Sequence, residues 1–288
     1  MNIKNFIPDS EGKGNFKLSK IKTGDTSSFK SKEETLPLLE KNIEKLNELQ
    51  AKLYAESRYG AIILIQAMDT AGKDGIIKHV MSGLNPQGTT VFSFKQPSTL
   101  ELRHDYLWRA NLHLPERGQI GIFNRSYYEE ILVVKVHNLI QNQNLPDKLI
   151  TEDIWNDRYR QINDFEKYLH ENGFTLIKLF LHISKEEQKQ RLLARIDDKS
   201  KNWKFSEADL SERAYWDTYM ECYEKLLENT NTGHNPWYVI PADKKWFARL
   251  AVSEIIVKHL DKLDLAYPQL DEKHKAALEI CRKRLIEE

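Results

Sequence analysis

The sequence predicts an α/β fold, a three-layer αβα sandwich around a parallel sheet, on three observations. A nearly continuous apolar run at residues 59–67 is typical of a central parallel strand covered on both faces. Other strand patterns alternate along the chain with helical patterns, which favours right-handed crossovers between parallel strands. A glycine-containing turn follows the apolar run and opens a helix, as at phosphate sites of α/β proteins.

Helix and strand patterns follow one another in a regular order along most of the chain. A long amphipathic helix over residues 33–57 precedes the first strand. The sequence then predicts a helix at 73–84, a strand at 89–95, a helix at 100–113, a strand at 119–124, a helix at 151–171, a strand at 174–184, a helix at 185–197 and a short strand at 237–241. This alternation predicts one domain.

The two ends and one internal segment depart from this alternation. Residues 1–32 are predicted to form an N-terminal arm, and 33–288 a single catalytic domain with a lid insertion at about 197–233. The insertion is charged and rich in aromatic residues, and it predicts two helices without a strand between them. A lid would bring basic side chains over a substrate and exclude water, whereas the alternative is a solvated helical hairpin. A basic run favours the lid: Arg191, Arg195, Lys199, Lys201 and Lys204.

Composition limits the partners of the protein. The 43 basic and 43 acidic side chains cancel, so no global field recruits nucleic acid or an anionic membrane. The two cysteines, Cys222 and Cys281, give neither a disulfide framework nor a metal site, and no signal peptide or membrane span is evident. We therefore expect a cytoplasmic protein without nucleic-acid or membrane partners. The apolar faces of helices 33–57 and 271–287 serve either a homo-oligomer interface, which we expect, or the closing of the core.

The first motif lies at residues 67–75, in the turn after the apolar strand. A standard phosphate-binding (Walker A) loop needs Gly, four residues, then Gly-Lys-Ser/Thr, so that amides wrap phosphate and Lys adds charge. Here Ala67 stands for the first Gly and Asp74 for Ser or Thr, but Gly72-Lys73 is retained. The strand before and the helix after it still predict a P-loop-kinase-like site. The expected phosphate-binding residues are Ala71, Gly72, Lys73, Asp74 and Gly75.

Asp69 is the unusual residue of this motif. A carboxylate among phosphate-binding amides would repel a bare phosphate, so its use is to hold Mg²⁺ or to orient a catalytic Lys or Arg. The alternative is a helix N-cap, a position that Asp fills well. The alternative is that Lys73 is an ordinary surface lysine, but its position directly after Gly72 disfavours this interpretation.

The second motif, residues 121–130, follows the strand at 119–124, where ligands bind open α/β sheets. The strand-end residue usually holds or orients a metal, but here it is the neutral amide Asn124, and Glu129 follows. Arg125 can clamp a phosphoryl oxygen in bidentate fashion. The alternative to this functional role is that Arg125 forms a structural ion pair with Glu129 or Glu130.

With these residues placed, the chain resembles the polyphosphate kinase 2 family, which moves phosphoryl groups between inorganic polyphosphate and nucleotides. The resemblance spans nearly the whole chain and rests on MDTAGKDG at 68–75, FNRSYYEE at 123–130, Trp203-Lys204, and NPWYVIPADKKWFARL at 235–250. Family members with Asp-Arg-Ser-Trp-Tyr-Asn in the second motif favour nucleoside diphosphates. This chain has Asn-Arg-Ser-Tyr-Tyr-Glu and looks like the subgroup that accepts both AMP and ADP.

The resemblance implies reversible, Mg²⁺-dependent transfer from polyphosphate to AMP or ADP, with ATP as product and Mn²⁺ as a substitute metal. The expected catalytic residues are Asp69, Lys73, Arg125 and Glu129, and the expected metal ligands are Asp69, Glu129 and Asn124. The expected contacts of the phosphate chain are Lys95, Arg109, Arg125, Arg191, Arg195 and Lys204. Two alternatives remain: an ATP-dependent nucleoside monophosphate kinase, and a non-catalytic polyphosphate or nucleotide sensor.

Overall fold

The computed structural model describes residues 1–8 and 16–288, apart from the side chain of Lys204. Its strands are β1 (Gly60–Ala67), β2 (Thr89–Ser93), β3 (Ile120–Asn124), β4 (Phe174–His182) and β5 (Trp237–Pro241). Within the described chain they form one parallel sheet in the order β2-β3-β1-β4-β5. Every residue of β1 is buried, as its apolar run predicts for the central strand. The predicted parallel α/β fold is confirmed.

Helices flank this sheet. They are α1 (Lys32–Glu56), α2 (Lys73–Val80), α3 (Trp108–Leu112), α4 (Val133–Val136), α5 (Ile154–Glu171), α6 (Lys185–Asp197), α7 (Glu207–Ala214), α8 (Trp216–Thr230), α9 (Lys245–Asp261) and α10 (Glu272–Glu287). Helix α9 packs against β4 and β5 and also against α1 and α2, whereas α5 packs against β4 and α8. The topology brings the carboxyl ends of β1 and β3 side by side, and both predicted motifs follow these ends.

Besides the short α4, two helical segments differ from the sequence-based expectation. The predicted helix at 100–113 is a single 3-10 turn, Glu101–Arg103, followed by the short α3, because the Asp105 carboxylate accepts the backbone N–H of Leu107 and so favours a turn. Helix α9 was not predicted from the sequence. It is buried on most sides, so its residues lack the apolar stripe by which a helix is recognised.

The described part of the N-terminal arm packs against the domain. Ile3, Phe6 and Leu18 are buried in the core. Thr23 Oγ1 donates to Asp243 Oδ2 at 2.7 Å, and the Asp243 N–H donates to the Thr23 carbonyl at 3.1 Å. Residues 9–15 of the predicted arm lie outside the described residues, and the arm boundary stays a prediction.

The predicted lid segment forms two helices, α7 and α8, without a strand between them, as expected. Helix α8 is packed, with Trp216, Tyr219 and Tyr223 buried, whereas α7 buries none of its residues. The solvent-exposed part of the predicted lid segment is therefore the part that ends with α7. Helix α10 also buries none of its residues, although Leu278 and Leu285 are apolar. In the part of the chain that the structure describes, no helix is long and apolar enough to cross a membrane.

Candidate active site

The turn between β1 and α2 is shaped by two residues in the left-handed region. Thr70 has φ 62° and Gly72 has φ 113°, a conformation in which an L side chain is strained. The retained Gly72 is thus required by the backbone. It is also the N-cap of α2, which shows that the alternative of Asp69 as N-cap is wrong.

Arg191 of α6 holds this turn in place through hydrogen bonds to its backbone. Its Nη1 donates to the carbonyls of Thr70 and Ala71 at 3.1 and 2.8 Å, and its Nη2 donates to those of Ala242 and Asp243 at 2.6 and 3.0 Å. Its Nε donates to Glu187. The fork of the guanidinium is therefore used to join the turn to the end of β5.

Lys73 begins α2 and is buried beneath the turn. Its Nζ donates to the carbonyls of Ala67 and Met68 at 2.9 and 3.3 Å. Burial and the positive charge of Arg125 lower the pKa of Lys73 to about 8. Lys73 is therefore not an ordinary surface lysine, and at neutral pH its ammonium group places a positive charge at the base of the turn.

Arg125 lies directly after β3 and joins the two motifs. It has φ 63°, and its Nη2 donates to Asp69 Oδ1 at 2.6 Å. Burial would raise the pKa of Asp69, but the charges of Lys73 and Arg125 outweigh it and hold that pKa below its usual value. Burial would lower the pKa of Arg125, but Glu129 and Asp69 outweigh it and raise that pKa. Asp69 therefore orients the guanidinium of Arg125, a contact that fits one of its two predicted uses, and the catalytic role of Arg125 stays a prediction.

Glu129 and Asn124 line two different cavities, each of which also contains Asp69 and Arg125. Glu129 lines a cavity of about 170 Å³ together with Asp69 and Arg125. Burial raises the pKa of Glu129, although the charges of Arg125 and Lys73 oppose the shift. Asn124 Nδ2 donates to Asp74 Oδ1 at 3.0 Å and lines a larger cleft.

Two larger clefts flank the phosphate-binding turn and share part of its backbone. The first, of about 550 Å³, is lined by residues 69–70 and 72–75 together with Lys95, Asn124, Arg125 and Arg195. The second, of about 480 Å³, shares Thr70, Gly72, Gly75 and Arg195 with the first and adds Ala71, Arg191, Lys201, Lys245 and Arg249. Arg195 also donates to Asp209 of α7 at 3.1 Å, which connects both clefts to the lid segment. The structure thus places the turn between two clefts, of which the second is basic, whereas the first combines basic side chains with Asp69, Asp74 and Asp209.

Some predicted phosphate contacts lie elsewhere, and some basic residues were missed. Arg109 is buried beside a separate cavity of about 440 Å³, where its Nη1 donates to the Lys95 carbonyl at 2.7 Å and its Nη2 lies 3.6 Å from Glu130. The side chain of Lys204 is outside the described ones. Lys245 and Arg249 were not predicted individually, although their helical spacing just after β5 in the 235–250 motif was a usable signal.

Comparison with known proteins settles the family. A family model described as polyphosphate kinase 2 (PPK2) matches residues 29–268, most of the chain. The chain belongs to the polyphosphate kinase 2 family. The predicted resemblance and the predicted phosphotransferase class are confirmed.

Similar polyphosphate kinase 2 proteins cover nearly all of the chain. An ADP-polyphosphate phosphotransferase of Rhodopseudomonas palustris is 50% identical, over 90% of this chain and 90% of its own. An AMP/ADP-polyphosphate phosphotransferase of Meiothermus ruber is 45% identical, over 89% of this chain and 92% of its own. The crystal structure of polyphosphate kinase 2 from Arthrobacter aurescens TC1 is 40% identical, with a TM-score of 0.84 over 93% of this chain and 94% of that one. All three are similar to the chain over nearly their whole length, and the crystal structure shares its fold.

Proposed function

We propose that this polyphosphate kinase 2 transfers a phosphoryl group from inorganic polyphosphate to AMP and to ADP, and that the reaction is reversible. The observation that carries the proposal is that Lys73 and the Arg125–Asp69 pair line the first cleft, which shares the turn with the basic second cleft. The names of the relatives support the donor, and together they name both acceptors.

The donor chain occupies the cleft that contains Lys201, Lys245 and Arg249. Burial and the neighbouring charges of Arg191 and Arg249 lower the pKa of Lys245, against the opposing charge of Glu187. Cations crowded in this way repel one another, and a polyanion relieves the repulsion. A phosphate chain lying on them would bind with an affinity that falls with salt concentration.

The acceptor phosphate lies on the other side of the turn, next to Arg125. An oxygen of the nucleotide phosphate attacks the terminal phosphorus of the chain, the bond between that phosphorus and its bridging oxygen breaks, and the shortened chain leaves. The attacking oxygen is already ionised, so no general base is needed. Lys73 and Arg125 hold positive charge where negative charge is shared among the moving oxygens, which is the main requirement of phosphoryl transfer.

Asp69 and Glu129 fit a role as Mg²⁺ ligands. Both carboxylates line the same cavity beside Arg125. The described residues contain no cluster of three or more His, Cys, Asp or Glu side chains that could hold a metal ion. Mg²⁺ does not require one, because it commonly takes one or two carboxylates and completes its shell with substrate phosphates and water. Such an ion, or Mn²⁺, would neutralise phosphate charge, and the amide oxygen of Asn124 is a further candidate ligand.

A turnover assay separates the proposal from its alternatives. Purified protein is incubated with AMP or ADP, polyphosphate and Mg²⁺, and nucleotides are separated by chromatography. We expect ADP and ATP to form. ADP formation from AMP only when ATP replaces polyphosphate would identify a nucleoside monophosphate kinase. Binding of polyphosphate without any turnover would identify a sensor.

We also propose a homo-oligomer. The support is α10, which lies beyond the matched residues 29–268 and exposes apolar side chains such as Leu278 and Leu285. Light scattering of the full chain and of a chain ending at residue 268 tests it. A monomeric mass for the full chain would contradict the proposal.

A further inference from the structure

A buried polar cluster lies directly behind the second motif. Lys178 of β4 and Glu166 of α5 are both fully buried, and Lys178 Nζ donates to Glu166 Oε2 at 2.7 Å. The hydroxyls of Tyr127 and Tyr128 both donate to the other carboxylate oxygen, Oε1, at 2.8 and 2.7 Å. Lys178 also donates to the carbonyl of Thr230, at the end of α8, at 2.7 Å. One buried carboxylate therefore ties two adjacent tyrosines to the sheet.

The two tyrosines lie, in the sequence, between Arg125 and Glu129, which line the same cavity beside Asp69. Arg125 precedes them and has a left-handed backbone, which costs energy and persists only where surrounding contacts fix it. Glu129 follows them in the same 3-10 turn, Tyr127–Ile131. Holding the tyrosine hydroxyls thus fixes the turn from which Arg125 and Glu129 project.

Stability alone does not explain such a cluster. Replacing a buried ion pair by well-packed apolar residues is often neutral or stabilising, because desolvation offsets the attraction of the charges. What an apolar core cannot supply is a directional acceptor for two hydroxyl groups at once. The cluster is therefore suited to fixing one arrangement of the turn.

We propose that Glu166 and Lys178 are positioning residues for phosphoryl transfer, which act through the hydroxyls of Tyr127 and Tyr128 on Arg125 and Glu129. Neither residue touches substrate. The inference rests on the proposed phosphotransferase activity, and it predicts a defect on the acceptor side that leaves the donor side unchanged.

Removal of the two hydroxyls is the first test. The Tyr127→Phe/Tyr128→Phe variant deletes both hydrogen bonds to Glu166, and the 3.2 Å bond that Lys178 Nζ donates to the Tyr128 hydroxyl, without changing core shape. Tyr159→Phe is its control, because Tyr159 lies buried on the same helix as Glu166 and its hydroxyl has no hydrogen-bond partner in the described chain. We expect kcat/KM for the nucleotide to fall about tenfold or more in the double variant, since small misplacements at a reacting centre are costly. KM for polyphosphate should stay within twofold, and the control should match the unsubstituted protein.

A second pair of variants isolates the hydrogen-bond acceptor from the charges. Glu166→Gln/Lys178→Met and Glu166→Leu/Lys178→Met both remove the two buried charges, but only the first retains a side-chain oxygen at residue 166. We expect the Leu variant to be about tenfold less active than the Gln variant per folded molecule, with equal KM for polyphosphate. A purely structural role would lower the folded fraction and leave the kinetics of that fraction unchanged.

Hydrogen exchange gives a readout that does not depend on turnover. Amides of residues 125–131 should exchange about tenfold faster in the double tyrosine variant, and amides of α2 should not change. Unchanged exchange at 125–131, or a kcat/KM within twofold of the unsubstituted protein, would overturn the inference. Absence of turnover in the unsubstituted protein would contradict the proposed function instead, and the exchange result would still decide the inference.

Discussion

Arg125 donates a 2.6 Å hydrogen bond to Asp69. The two residues lie 56 positions apart, one in each sequence motif, and they meet because β1 and β3 are adjacent parallel strands. In the proposed reaction, an incoming phosphate would compete with Asp69 for the guanidinium, and a metal ion would compete with Arg125 for the carboxylate. Substrate and metal would then exchange this internal ion pair for two external ones, and neither charge would be left unpaired.

Replacing Lys73 by Ala should remove the charge at the base of the turn. We expect kcat to fall about 10²–10³-fold, the loss typical of deleting one preorganised group at a developing charge. Lys78→Ala is the matched control, because Lys78 is an exposed lysine on the same helix. Nucleotide product is measured by chromatography and folding by circular dichroism. A kcat within tenfold of the unsubstituted protein would exclude the role of Lys73.

The pKa of Lys73, about 8, predicts how activity depends on pH. Its folded-state pKa lies below its ordinary value, so the free enzyme loses this positive charge as pH rises through about 8. The apparent kcat/KM should therefore decline above that pH. Bound phosphate favours the charged form, so the decline in kcat should come at higher pH than the decline in kcat/KM. A kcat/KM that stays flat to pH 10 would argue against the assignment.

The sequence predicted the sheet well because its strands have strong patterns. β1 and β4 are mostly apolar and buried, despite Gln66 in β1 and Lys178 in β4, so the pattern identified both. It failed for α9, because burial on most sides removes helical periodicity, and for residues 100–113, because local capping by Asp105 competes with a longer helix.

The candidate site was predictable where a motif follows a strand end. Asp69, Lys73 and Arg125 meet as expected because parallel strands end at one edge of the sheet. The positions of long basic side chains were less predictable, since their direction depends on tertiary partners. Arg109 turns toward Glu130, whereas Arg249 points to the turn from a helix that the pattern did not reveal.

Glu129 should influence the choice between AMP and ADP. Because the family resemblance associates Asn at this position with nucleoside diphosphates, Glu129→Asn should reduce turnover of AMP about tenfold more than turnover of ADP, an effect of about 1.4 kcal/mol. The measurement is the ratio of kcat/KM values for the two acceptors under the same polyphosphate and Mg²⁺ concentrations. Glu212→Gln, which changes another carboxylate lining the same cavity, is the comparison variant. Equal loss with AMP and ADP would contradict a role in acceptor choice.

Arg191→Lys tests whether Arg191 acts by charge or by shape. Lysine retains the positive charge but cannot join four carbonyl groups with a planar fork. We expect a loss of stability of about 1–3 kcal/mol from the carbonyls left unsatisfied. Chemical denaturation measures it, and kcat should fall because the turn loosens. Unchanged stability with a raised KM for polyphosphate would instead identify Arg191 as a direct contact of the chain.

The basic residues of the second cleft should determine how polyphosphate affinity responds to salt. Lys245 and Arg249 lie one helical turn apart on α9 and line that cleft with Lys201. Each cation that pairs with a phosphate releases a bound counterion, so Lys245→Ala/Arg249→Ala should reduce the slope of log KM for polyphosphate against log salt by roughly 1–2. The KM for AMP should not change, because the proposed acceptor site lies on the other side of the turn.

A variant with a similar loss of charge controls for the field of the whole protein. Lys258→Ala/Lys262→Ala removes two cations from the far end of α9 and beyond it, and neither residue lines the cleft. If only the total charge mattered, both double variants would shift the salt slope equally. A selective effect of the Lys245 and Arg249 substitutions would place the donor chain in the second cleft. A selective rise in KM for AMP would instead place the nucleotide there, with polyphosphate beside Arg125 and Glu129.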